Sequence, residues 1–216
     1  MNEEKEAVTL KDLGEFGLID RITKKIKSYQ KNTKLGPGDD AAVIKSQNNI
    51  LVSSDMLVEG VHFDLSYFPL KHLGYKSIIS SISDICAMNG FPSHALVSIA
   101  VPNKYSVEMI EEIYSGIKLA CDNFSIDLIG GDTTASVSTL TISITVFGST
   151  QNSKLTYRSG AKLNDLLVVT GDLGGAYLGL QILERENSIF QKNQLAQPDL
   201  SPYSQILERQ LKPEPR

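Results

Sequence analysis

The 216-residue sequence predicts an α+β fold, because helical and strand patterns mix along it without a regular βαβ order. Three observations carry this. Apolar residues recur at helical spacing at Phe16, Ile19, Ile22 and Ile26, and again at Ile78, Ile82 and Ile85. Residues 137–147, Val-Ser-Thr-Leu-Thr-Ile-Ser-Ile-Thr-Val-Phe, alternate in the strand period, with one polar and one apolar side. Short apolar runs end on Asp55 and on Gly130-Gly131-Asp132, as strands with a carboxylate at their ends.

In chain order, residues 1–12 read as a charged tail and 13–150 as an N-terminal domain. The change of character after Gln151-Asn152-Ser153 makes 151–216 the beginning of a second α+β domain. The first helix carries Lys24, Lys25 and Lys27 on its outward side. Leu35-Gly-Pro-Gly-Asp-Asp then breaks periodicity ahead of the β-type run Ala41–Ile44, and Ile50–Ser54 is a strand ending at Asp55. Gly74 to Gly90 is a helix with Ser77, Ser80, Ser81 and Asp84 on a small-residue face. Ala95–Val101 is a strand, and Ser106 caps a helix running to Asn123 with Glu108, Glu111 and Glu112 in its first turns. Ile126–Ile129 leads into a strand closed by the Gly130-Gly131 turn. Beyond Leu155–Lys162, a polar loop, Asp165–Gly171 reads as a strand, Gly175–Glu186 as a helix and 187–202 as a polar connector.

Composition narrows the function. Hydrophobic residues make up 41% of the chain, which is enough to bury a core. A net charge of −4 offers no basic field for nucleic acid. No basic start followed by an apolar run marks a secretory signal, and no apolar stretch approaches a membrane span, so a cytoplasmic protein is expected. Cys86 and Cys121 stand in no pair spacing and read as reduced, buried thiols.

The aspartates carry the chemistry. Asp39, Asp40, Asp55 and Asp132 stand beside glycine or at strand ends, and Asp84 lies on the small-residue helix face. Carboxylates brought together there repel unless cations lie between them, and magnesium, which prefers oxygen ligands and shares them with phosphates, is the expected ion. Zinc is disfavoured, since His62, His72, His94 and the two cysteines have no ligand spacing. Each aspartate alone reads equally as a turn former or cap. Gly36-Pro37-Gly38 and Gly130-Gly131 could present amides to phosphate but match neither the Walker nor the dinucleotide pattern.

Five segments occur in a familiar order: Leu-Gly-Pro-Gly-Asp-Asp-Ala-Ala (35–42), Ser-Ser-Asp-Met-Leu-Val-Glu-Gly-Val-His-Phe (53–63), Ser-Asp-Ile-Cys-Ala-Met-Asn-Gly (83–90), Leu-Ile-Gly-Gly-Asp-Thr-Thr (128–134) and Arg-Ser-Gly-Ala-Lys (158–162). In this the chain resembles thiamine-monophosphate kinases, within the superfamily of aminoimidazole ribonucleotide synthetase. The resemblance implies magnesium-dependent, in-line transfer of the ATP γ-phosphoryl to thiamine monophosphate, giving thiamine diphosphate and ADP. It implies several magnesium ions held by Asp40, Ser53, Ser54, Asp55, Asp84 and Asp132, with either Asp39 or Asp40 as the inner ligand. Tyr114, Gly131, Asp132 and Arg158 would contact ATP, and His62 thiamine monophosphate. No general base is assigned, since the acceptor oxygen is already anionic. A homodimer whose sheets join across the two-fold axis is implied as well. Members of that family continue into an Ile-Ser-Asp-Gly-Leu element that this chain lacks, so 151–216 is expected to be an incomplete C-terminal domain. The competing readings are another ATP-using member of the superfamily, such as an amidine-forming synthetase, and a non-catalytic dimerisation or nucleotide-binding fragment.

Overall fold

A computed structural model describes residues 10–35, 43–44, 49–150, 155–157, 160–195 and 198–215. The mixed helix-and-strand fold expected from the sequence is present. Helix α1 (Leu10–Thr23) is kinked at Gly14 and precedes two short paired strands, β1 (Thr33–Leu35) and β2 (Val43–Ile44). Strand β3 (Asn49–Val58), helix α2 (Leu70–Ala87), strand β4 (Phe91–Pro102), helix α3 (Val107–Phe124) and strands β5 (Asp127–Ser136) and β6 (Thr141–Thr150) form the body. They build a four-stranded sheet in the order β3-β6-β4-β5, antiparallel except for the parallel β4–β5 pair.

Strand alternation decides where the core lies. On β6, Ile142, Ile144 and Val146 are fully buried while Thr141, Ser143, Thr145, Phe147 and Ser149 stay half-buried, so one sheet face packs on the helices and the other is open. Val97, Ile99 and Val101 of β4 share the covered face, and Ile78, Ile82 and Ile85 of α2 and Ile110, Ile113 and Ile117 of α3 meet them. Helix α3 starts as expected, with the Met109 N–H donating to Ser106 Oγ at 3.3 Å. It ends on Ser125 in the left-handed conformation.

Several sequence expectations move. Helix α2 begins at Leu70 rather than Gly74, because Gly74 is a packing residue: a Cβ there would sit 1.9 Å from the Ile113 carbonyl oxygen, and Gly116 of α3 makes the reciprocal approach to Lys71. The small-residue face of α2 is accordingly only half solvent-facing. Ser77 and Ser81 are buried, and Ser77 returns its hydroxyl to the Gly74 carbonyl at 2.8 Å. Strand β5 does not stop at the glycines but runs through them to Ser136, held by pairing with β4. Strand β6 starts at Thr141 rather than 137.

Beyond residue 160, Asp165–Gly171 has no partner strand among the described residues, and Leu166, Leu167 and Val168 are exposed. Helix α4 (Gly175–Lys192) outruns its expected end. A 3-10 turn (Ser201–Tyr203) occupies the end of the expected connector, and helix α5 (Ser204–Leu211) lies just beyond it. Among the described residues no helix is long and apolar enough to cross a membrane.

Candidate functional site

The alternation of β3 sorts the acidic motif. Leu51, Ser53, Asp55 and Leu57 lie on the helix side of the strand, whereas Ile50, Val52, Ser54 and Met56 lie on the open side. Ser53 therefore meets α2, and its hydroxyl donates to Asp84 Oδ2 at 2.6 Å. Asp55 comes two residues along on the same face. Ser54 is turned the other way, sharing a hydrogen bond of 3.0 Å with Thr145 Oγ1 on β6. Ser53 and Asp84 are thus joined at the β3 edge, with Asp55 further along the same face of the strand.

Asp132 stands elsewhere. The cross-strand row containing Asp55 is Asp55–Ile144–Val97–Gly131, and the next row is Met56–Ser143–Ser98–Asp132. Asp55 and Asp132 are therefore on the two edge strands, three strand spacings or about 14 Å apart at the backbone. Among the described residues no three His, Cys, Asp or Glu side chains gather closely enough to hold one metal ion. Among the described acidic residues, Asp55 and Asp84 lie at the β3 edge and Asp132 at the β5 edge. Oxygen donors only, open to solvent, with a hydroxyl bonded to one carboxylate and a second carboxylate on the same strand face, fit a hard cation that keeps several waters, and they do not fit zinc.

Gly131 has a steric reason to be glycine. A Cβ there would lie 1.7 Å from the Val97 carbonyl oxygen, so β5 and β4 can pair at this point only without a side chain. The register shift at Ala95/Leu96 leaves Ile129 unpaired just before the glycines and re-phases the strand that carries Asp132.

His62 sits in a tight turn at the end of β3. The Gly60 N–H donates to the Phe63 carbonyl at 2.8 Å, and the His62 N–H to the Val58 carbonyl at 2.9 Å. The Val58 N–H donates back to His62 Nδ1 at 3.0 Å, which leaves Nε2 as the ring nitrogen free to face a ligand. That ring lines a cleft of about 420 Å³ between residues 60–67 and α4, with Tyr67 on one wall and Glu184 on the other. Burial, helped by the nearby Glu184 and Asp64 carboxylates, raises the Tyr67 hydroxyl above its ordinary pKa, so it remains a donor.

Tyr114 lies in the core of α3, 9% exposed, and burial pushes its phenol up. Asp39, Asp40 and Arg158 lie outside the described residues.

Glu59 was not singled out in the sequence. It accepts from the Leu140 N–H at 2.8 Å and from Lys104 Nζ at 2.7 Å, so it ties the His62 turn to the approach to β6. Partial burial works to raise its pKa, but these two donors outweigh burial and hold the carboxyl below its ordinary value, while the Tyr105 hydroxyl lies near without hydrogen-bond geometry of its own. Its only sequence signal was its place inside Leu-Val-Glu-Gly-Val-His-Phe.

Comparison with known proteins supplies a family. The thiamine-monophosphate kinase of Bacillus subtilis (strain 168) is 36% identical over 206 residues, covering 94% of this chain and 61% of that protein. A crystal structure of thiamine-monophosphate kinase from Stenotrophomonas maltophilia K279a superposes with a TM-score of 0.76 at 32% identity, over 94% of this chain and 62% of that one. The structure of AaThiL complexed with AMPPCP and TMP gives 0.69 at 31% identity, over 98% and 63%. The chain thus spans about three fifths of the length of these relatives. Residues 38–150, more than half of the chain, match the family described as AIR synthase related protein, N-terminal domain, and to that family this chain belongs.

Proposed function

We propose that this chain serves thiamine-monophosphate phosphorylation, contributing the magnesium- and ATP-binding residues for in-line transfer of the γ-phosphoryl to thiamine monophosphate. The observation that carries the reading is the oxygen-only group Ser53, Asp55 and Asp84 at one sheet edge with Gly131-Asp132 at the other. It is supported by similarity over nearly the whole chain to thiamine-monophosphate kinases and to a relative solved with AMPPCP and TMP. Bound magnesium would neutralise phosphate charge as the two anions approach. Asp55 and Asp84 would hold ions at the β3 edge and Asp132 at the β5 edge, with Asp40 as a further ligand. The separation of the edges supports more than one ion. Gly131, whose missing side chain leaves its backbone uncovered, together with Tyr114 and Arg158 would contact ATP, Arg158 as a forked cation for phosphate. His62 would offer Nε2 to thiamine monophosphate at the cleft, with Glu184 across from it near the cationic ring. The acceptor oxygen is already ionised, so no side chain need remove a proton.

The same reading has two copies paired through the open sheet face, where Ile50, Val52 and Met56 are each more than half exposed, and places the protein in the cytoplasm with both thiols free. An amidine-forming synthetase is disfavoured by the similarity to kinases, and no observation favours a purely structural fragment.

Kinase assays with purified chain, ATP and thiamine monophosphate test this. Asp55→Asn and Asp132→Asn should each lower turnover by about 100-fold or more with far-UV circular dichroism unchanged, and turnover should rise sigmoidally with magnesium. Full activity in both variants would remove the metal-site reading, and a hyperbolic, single-ion dependence would remove its multi-ion form.

A further inference from the structure

A second polar cluster lies inside the body, apart from the Ser53–Asp84 edge. Asp127, the first residue of β5, is 1% exposed, and so is His94 of β4, its partner in the sheet register. Asp127 is filled with donors. Oδ1 accepts the Tyr29 N–H, and Oδ2 accepts the Gln30 N–H at 3.2 Å and the Thr33 hydroxyl. Thr33 Oγ1 also lies 2.9 Å from His94 Nε2. Because an aspartate here only accepts, the single Thr33 proton goes to Asp127, and the Thr33 oxygen must receive the Nε2–H of His94. Nδ1 of His94 then accepts from Ser93 Oγ at 2.8 Å, a hydroxyl that the Phe147 carbonyl faces as well at 3.3 Å. Every polar atom in this buried chain has a partner, which is the condition for such a network to define one arrangement of the backbone.

Its placement gives it a task. Ser93 is the unpaired residue of a bulge in β4 opposite β6, and Ile129 is the unpaired residue of the bulge in β5, so irregularities flank the cluster on both strands. Thr33 stands three residues before Gly36-Pro37-Gly38-Asp39-Asp40 in the sequence, and Asp127 stands three residues before Gly130-Gly131-Asp132. Gln30 adds a further tie across the same joint through Nε2 to the Ser125 carbonyl at 2.9 Å. A surface turn needs no buried carboxylate to hold it, and burying one without compensation is costly.

We propose that Asp127 is a positioning residue for the nucleotide and magnesium site, fastening the segment 29–33 to the base of β5 through Thr33 and His94 and so fixing the described chain from which the acidic motifs at 36–40 and 130–132 follow in sequence. The inference rests on the proposed magnesium- and ATP-binding function. Asp127, Thr33 and His94 touch no reacting atom; they set the spacing of chain segments that do.

The test uses the full chain. Calorimetry of magnesium-ATP binding is paired with hydrogen–deuterium exchange over peptides spanning 29–35, in wild type, Thr33→Val, Thr33→Ser and Asp127→Asn. Thr33→Val keeps the branched shape and removes only the hydroxyl; Thr33→Ser restores it. The expected result is faster exchange at 29–35 and magnesium-ATP affinity weakened on the order of 10-fold to 100-fold in Thr33→Val and Asp127→Asn, with Thr33→Ser near wild type. Wild-type affinity in Thr33→Val despite accelerated exchange would reduce the cluster to a structural buttress and overturn the proposal, whatever becomes of Asp127→Asn. A wild-type chain that binds no magnesium-ATP would instead overturn the functional reading, and the positioning role with it.

Discussion

At the scale of single residues, Gly131 and Cys121 make opposite points about what a side chain may be. Gly131→Ala would drive a methyl into the Val97 carbonyl, and because that atom is backbone in a central strand it cannot step aside. Urea denaturation should show a loss of about 3 kcal/mol, with magnesium-ATP binding lost even where the fold survives. Cys121 is a thiol kept neutral by burial, its pKa pushed up to about 12. Because the unfolded thiol titrates near pH 8.5, its contribution is fully present below that pH and is lost as pH rises toward the folded value. Unfolding midpoints measured from pH 7 to 11 should fall with rising pH, and Cys121→Val should make the fall shallower. The glycine was legible in the sequence as part of Gly-Gly-Asp, but the reason for it was not, since Val97 is 34 positions away and only the parallel pairing of β4 with β5 brings the two together. For the same reason Asp127 carries no signal in the sequence: nothing adjacent to it hints at Thr33 or His94.

At the scale of elements, local pattern suffices where one face meets one neighbour. The alternation of β6 and the cap of α3 needed only local pattern, and both are present. Local pattern misplaces an element where a partner distant in sequence shapes it. Gly74 looked like a helix boundary and is a contact point between α2 and α3; Gly130 and Gly131 looked like a turn and are strand. A direct check is Gly116→Ala, whose added Cβ would lie 1.9 Å from the Lys71 carbonyl. Prying the two helices apart should lower stability by about 2 kcal/mol, seen as a lower thermal midpoint, while Ser115→Ala, one residue earlier on the exposed side, should leave it nearly unchanged. The apolar run at 165–171 illustrates the limit of pattern in another way, since alternation or hydrophobicity proposes a strand but a partner makes it one.

For the whole molecule, the covered and open faces of the sheet divide the candidate site. Burial on the helix side accounts for the shape of the body, and the exposed Ile50, Val52 and Met56 account for the proposed pairing of copies through the other side. Val52→Glu should convert a dimer into a monomer in sedimentation velocity at micromolar concentration, and unchanged sedimentation would place the contact elsewhere. Sequence order groups the aspartates by motif but does not show that Asp55 and Asp132 occupy opposite edges, because strand order β3-β6-β4-β5 is not chain order. That order also makes the sheet a ruler. Three hydrogen-bonded gaps separate the Asp55 edge from the Asp132 edge, and neither gap nor register can stretch without breaking a ladder. The span between the two acidic margins is therefore set by the ladders of the sheet, and on the proposed function a bound molecule would have to match that length.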